Sequence, residues 1–143
     1  MPNSIFKQIL SFANAQSRNK VVFHRQPIPD LQVTNVGVSL SELIYNFKEV
    51  KRLPMKASLL LEKLLNEAVF QNEHLGNCLA IQNIGMLFEP ELKLDFAQLL
   101  NNYSQNNLLF VKWEGEIDGE NLYFLTKEKG IKTNIKHLSH IVI

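Results

Sequence analysis

The chain has 143 residues, 45% hydrophobic and 20% charged, a length and mix that exclude a disordered polypeptide and predict one soluble domain over residues 1–143. Its 15 Lys and Arg nearly cancel its 14 Asp and Glu. That balance excludes a global attraction to nucleic acid or to a membrane surface, so any such contact must be local.

In chain order, "SIFKQILSFANAQ" spaces Ile5, Phe6, Ile9, Leu10 and Phe12 by one, three and four residues and predicts a short amphipathic helix with Ser4 as a cap. "KVVFH" (20–24) is a β-branched and aromatic run, closed by "RQPIPD", where Pro27 and Pro29 forbid a regular helix. "LQVTNVGVSL" (31–40) predicts a second strand, and Ser39 with Glu42 has the spacing of a reciprocal helix cap. That helix is expected to run to about Leu53, before Pro54. A longer helix follows with Leu60, Leu61, Leu64, Leu65 and Ala68 on one stripe, ended by Gly76.

"NCLAIQN" is short and uniformly apolar, as a strand covered on both faces should be, and is the expected central strand. Cys78 within it is the only cysteine; it excludes an intramolecular disulfide and reads as a small buried hydrophobe in a reducing cytoplasm. "ELKLDFAQLLNNYSQNN" predicts a helix with Leu92, Phe96, Leu99 and Leu100 inward, and "LLFVKW" (108–113) another buried strand. Asp118-Gly119 is a tight-turn dipeptide, predicting a hairpin between "LLFVKW" and "NLYFLT". A short polar helix or turn near "KHLSH" leads into a terminal strand, "IVI". Helices alternating with buried strands predict an α/β three-layer sandwich, mostly parallel, with an antiparallel hairpin to one side. No stretch approaches the ~20 apolar residues of a membrane span, and no membrane association is expected. Sheets of this kind bind ligands at the carboxyl ends of their strands, which singles out His24, Gln82 and Trp113.

A phosphate loop needs glycines for close backbone approach, a Lys for charge and a Ser or Thr for magnesium. The stretch "RQPIPDLQ" offers none of these and leaves no room for a helix. Glu114, Glu116, Asp118, Gly119 and Glu120 resemble half a calcium loop, but the twelfth position is Leu125, so a solvated acidic turn is expected. His137 and His140 could share a helical face, yet two imidazoles lacking a third ligand make a weak zinc site. His24, His74 and Cys78 have no triad-like neighbours in sequence. Of two basic groupings, Lys48, Lys51, Arg52 and Lys56 alternate with Glu42 and Glu49, and Lys127, Lys129, Lys132 and Lys136 with Glu128. Solvated faces are the expectation, with nucleic-acid contact through Lys48, Lys51 and Arg52 as the alternative.

The series "NVGVSLSELI", "LAIQNIGMLFEPELKLDFAQLL", "NNLLFVKWEGEIDGENLYF" and "HLSHIVI" resembles the BrxF family, small P-loop proteins of type 3 BREX phage-defence systems, over roughly residues 35–143. In that family a buried strand carries a metal-side acid followed by Asn-Ile, an apolar pair, a Phe, an acid and a Pro. Here Gln82 stands in the place of the acid, while Asn83, Ile84, Leu87, Phe88, Glu89 and Pro90 match, and Trp113, Gly115 and Gly119 are similar to the later strand and hairpin. The resemblance implies a degenerate P-loop NTPase-like fold with a vestigial site at Gln82, Asn83 and Trp113. It implies no catalysis and no cofactor, because a neutral amide cannot hold magnesium through a carboxylate. The implied partners are other proteins of a defence or DNA-transaction assembly; a nucleic-acid or unorthodox nucleotide-binding module is the alternative.

Overall fold

The apolar runs of the sequence become the strands of a six-stranded sheet in the computed structural model, which describes residues 2–45, 53–124 and 131–143. β1 (Val21–His24), β4 (Gly76–Gln82) and β5 (Leu108–Lys112) form its middle, and β2 (Val33–Asn35) and β9 (His140–Val142) its edges, in the order β2-β4-β5-β1-β9. All these neighbours pair in parallel. Only β3 (Phe70–Asn72) turns back antiparallel on β4, with Phe70 opposite Cys78. The register sets Ala80 beside Phe110, Phe110 beside Val22 and Lys112 beside His24, so the three central strands end level.

Alternation along each strand divides the core into two faces. Val21, Phe23, Leu79, Ile81, Leu109 and Val111 face one way, where α2 (Val36–Tyr45), α3 (Leu53–Ala68) and α4 (Phe96–Tyr103) supply Leu40, Leu61, Leu65 and Leu100. Val22, Cys78, Ala80, Leu108 and Phe110 face the other way, under Ile9 and Ala13 of α1 (Pro2–Asn14). A second, antiparallel sheet of β6 (Glu116–Ile117), β7 (Asn121–Phe124) and β8 (Ile131–Asn134) lies between β5 and β9 in the chain. The α/β class, the mostly parallel sheet and an antiparallel element are therefore as expected.

Several local expectations are corrected. β5 forms no hairpin with β7: being apolar on both faces, it is flanked by β4 and β1, and β7 pairs with β6 instead. The turn between β6 and β7 is held by the Asp118 carboxylate, which accepts the Glu120 and Asn121 N–H groups at 2.9 and 2.8 Å, and Gly119 is not used for a positive φ. The strand expected over 31–40 shortens to β2, because Asn35 Oδ1 accepts the Val38 N–H at 3.0 Å and starts α2 there, leaving Ser39 inside the helix. The described part of α2 ends at Tyr45, and its expected continuation toward Leu53 falls largely outside the described residues. Pro54 lies in the first turn of α3, where a missing N–H costs nothing. That helix stops at Ala68, since Phe70–Asn72 pairs with β4, and Gly76, at φ 81°, closes the β3–β4 turn. The helix expected from Glu91 begins at Phe96 behind Asp95, whose side chain accepts the Gln98 N–H at 3.0 Å; the residues before it make two 3-10 turns, Gly85–Phe88 and Pro90–Leu92. β8 was not anticipated from "IKTN".

Candidate functional site at the carboxyl rim of the sheet

From β1 the chain crosses toward β2, and from β5 it departs toward β9, on the opposite side. Where such connections diverge, an α/β sheet opens a crevice outside its carboxyl ends. His24, Arg25, Lys112, Trp113 and Glu114 stand at that point. His24 is only 5% exposed, its ring edge-on to Phe110 at 6.4 Å and its Nδ1 2.8 Å from the Gln26 carbonyl oxygen. In the neutral ring Nδ1–H donates to that carbonyl and Nε2 is the acceptor. Burial pulls the His24 pKa down; the Gln26 carbonyl opposes this, and the neighbouring Lys112 charge reinforces it.

The crevice is bridged from within the chain. Arg25 donates to the Gly115 carbonyl oxygen at 2.6 Å and the Glu114 carbonyl oxygen at 3.4 Å, and the Trp113 N–H donates to the His24 carbonyl oxygen at 2.9 Å. Residues 25–32 then cross the sheet with no helix, and Ile28 and Leu31 pack with Val22, Ala80 and Phe110 on the α1 face.

The three residues of the expected vestigial site are held by different partners. Gln82 is partly exposed beside Asn35 on β2, and alternation after Ile81 turns it to the α1 face. Asn83 has a left-handed backbone, φ 54°; its Nδ2–H donates to Asn35 Oδ1 at 2.8 Å, and its carbonyl accepts the Gly37 N–H at 2.8 Å. A Cβ on Gly37 would meet Asn83 Nδ2 at 2.6 Å, so glycine is what lets the two backbones close. Asn83 is thus a clasp between the end of β4 and the start of α2. Trp113 is 2% exposed, stacked on Phe96 at 6.1 Å, with its Nε1–H donating to the Glu116 carbonyl oxygen at 3.1 Å. Phe88 lies 5.0 Å from Phe96 and stacks on Phe124 at 4.8 Å, completing a four-ring cluster. Asn83 and Trp113 do meet in one crevice of about 320 Å³ with Lys112, Gly115 and Phe124, whereas Gln82 stands outside it.

The other sequence candidates are dispersed. Lys48, Lys51 and Arg52 lie outside the described residues, as do Lys127 and Lys129. Lys136 meets Glu120 at 3.9 Å on the surface, a pairing worth little. Asp118 holds its turn and accepts the Tyr123 hydroxyl at 2.7 Å. His140 belongs to β9, edge-on to Phe23 at 5.6 Å, and His137 to the turn before it, so they share no helical face. Among the described residues no group of three or more His, Cys, Asp or Glu is placed to hold a metal. Cys78 is fully buried and its thiol is pushed up to about 11, which removes it as a nucleophile. No described helix is long and apolar enough to cross a membrane. Sequence reasoning missed Arg25 and Lys112, although both flank the ends of predicted strands, the position where such sheets gather ligands. No family model matches the chain, and neither a curated protein nor a solved structure matches it.

Proposed function

We propose that the chain is a non-catalytic interaction subunit on a degenerate P-loop ATPase scaffold, serving with other proteins in a phage-defence assembly of the BREX type or a related DNA transaction. The observation that carries this reading is the link from β1 to β2. A triphosphate cradle requires a run of free backbone N–H groups opening a helix, a Lys and a carboxylate-held magnesium ion. In that place stands a loop with two prolines and no glycine, whose Ile28 and Leu31 are bedded on the sheet, and Arg25 is engaged by the Glu114 and Gly115 carbonyls. Gln82, at the end of β4, is neutral.

The test is purification of the tagged chain from the cells that encode it. The expected result is a complex of fixed stoichiometry with other proteins, unchanged by Gln82→Ala. A chain that purifies alone and turns over ATP in a magnesium-dependent reaction contradicts the proposal.

A further inference from the structure

We infer that the crevice above the carboxyl ends of β4 and β5 binds a small zwitterion with an apolar body, an α-amino acid with an aliphatic side chain. Such a site is independent of the interaction-subunit reading and adds a small ligand to it. The crevice encloses about 320 Å³, within the range of small-ligand pockets, and lies at the end of the sheet where α/β folds collect ligands. One wall is the turn after β4, residues 83–85, and the other is the end of β5 and the run after it, residues 112–115. Phe124, the last residue of β7, completes the lining.

These walls are set before a ligand arrives. Asn83 is held by Asn35 and Gly37, and Phe124 is stacked on Phe88 at 4.8 Å. A Cβ on Gly85 would sit 3.1 Å from the Phe124 ring, so the missing side chain keeps that part of the crevice clear. The charges then select the ligand. The lining carries one cation, the partly buried Lys112, and one carboxylate, the exposed Glu114, with Trp113 between them. Neither makes an ion pair with the other or with a further charge among the described residues. A ligand of one sign is drawn to one of these groups and repelled by its neighbour. A zwitterion satisfies both, its carboxylate at Lys112 and its ammonium at Glu114. The remaining surface, from Ile84, Trp113 and Phe124, is apolar and suits an aliphatic side chain.

The probe is L-leucine, titrated into the intact chain and followed by NMR of the backbone amides. Saturable shifts centred on residues 83–85, 112–115 and 124 are expected. Leucinamide, which lacks the carboxylate, and isocaproate, which lacks the ammonium, should each bind about tenfold more weakly, the loss of one charge-assisted hydrogen bond. Glu114 is exposed, so Glu114→Gln should melt as the parent does. It is expected to weaken leucine about tenfold while leaving isocaproate no weaker than before. Lys112→Gln should do the converse, weakening leucine and sparing leucinamide. Absence of saturation, shifts centred elsewhere, equal binding of the two singly charged analogues and leucine, or indifference of leucine to both variants each overturns the inference.

Discussion

The two faces of the central sheet are covered by different means. On one, three helices and the four rings of Phe88, Phe96, Trp113 and Phe124 interlock, and the Asn83 clasp ties β4 to α2. On the other, a single helix and the crossing loop of residues 25–32 lie on Val22, Ala80 and Phe110. Ile84, Leu87, Phe88 and Trp113 pack on the first face, whereas Gln82 turns to the second. Residues that match a motif but serve in packing are poor evidence for the motif's chemistry.

The largest effect should come from the ring cluster. Trp113→Ala removes a buried indole from three aromatic neighbours and is expected to cost about 3–5 kcal/mol in urea denaturation. A cost under about 1.5 kcal/mol would show that the cluster does not anchor this face. Next is Gly115→Ala, whose new Cβ would sit 2.0 Å from the Tyr123 carbonyl oxygen, with no flexible side chain to give way. The expected loss is about 1–3 kcal/mol, against no more than about 0.5 kcal/mol for Gly119→Ala, which meets nothing within 4 Å. Equal melting curves for the two would refute the close approach.

Ile28→Ala and Leu31→Ala, both partly buried, should each cost about 1–2 kcal/mol, less than Trp113→Ala. If either matched Trp113→Ala by the same denaturation measurement, the contrast between the faces would be broken. The smallest effect concerns acid. Burial holds the folded His24 below its ordinary value of 6.5, so the unfolded chain binds the proton first, and stability falls as pH drops through 6.5 toward the folded value. His24→Gln should flatten that limb of the stability–pH curve; an unchanged limb would show that His24 is not what titrates.

Much of the sheet was legible because continuous apolar runs such as "NCLAIQ" and "LLFVK" fit only strands covered on both faces. α1 and α3 were legible from their period. What the sequence withheld depended on competition between partners: Asp118-Gly119 has the composition of a two-residue turn, yet β5 prefers β1 and β4, and the Asp118 side chain replaces glycine geometry. Asn35 outcompetes Ser39 as a cap because Asn83 arrives beside it from a distant strand. The same holds for the rim, where Arg25 reaches Gly115 across 90 residues of chain. No local pattern encodes such a meeting, whereas the missing glycines and lysine of "RQPIPDLQ" could be read directly.

Isothermal calorimetry of the purified chain against ATP with magnesium tests the proposed lack of a nucleotide site most directly. The account predicts no saturable heat. Micromolar, magnesium-dependent binding that disappears on Gln82→Ala would contradict it.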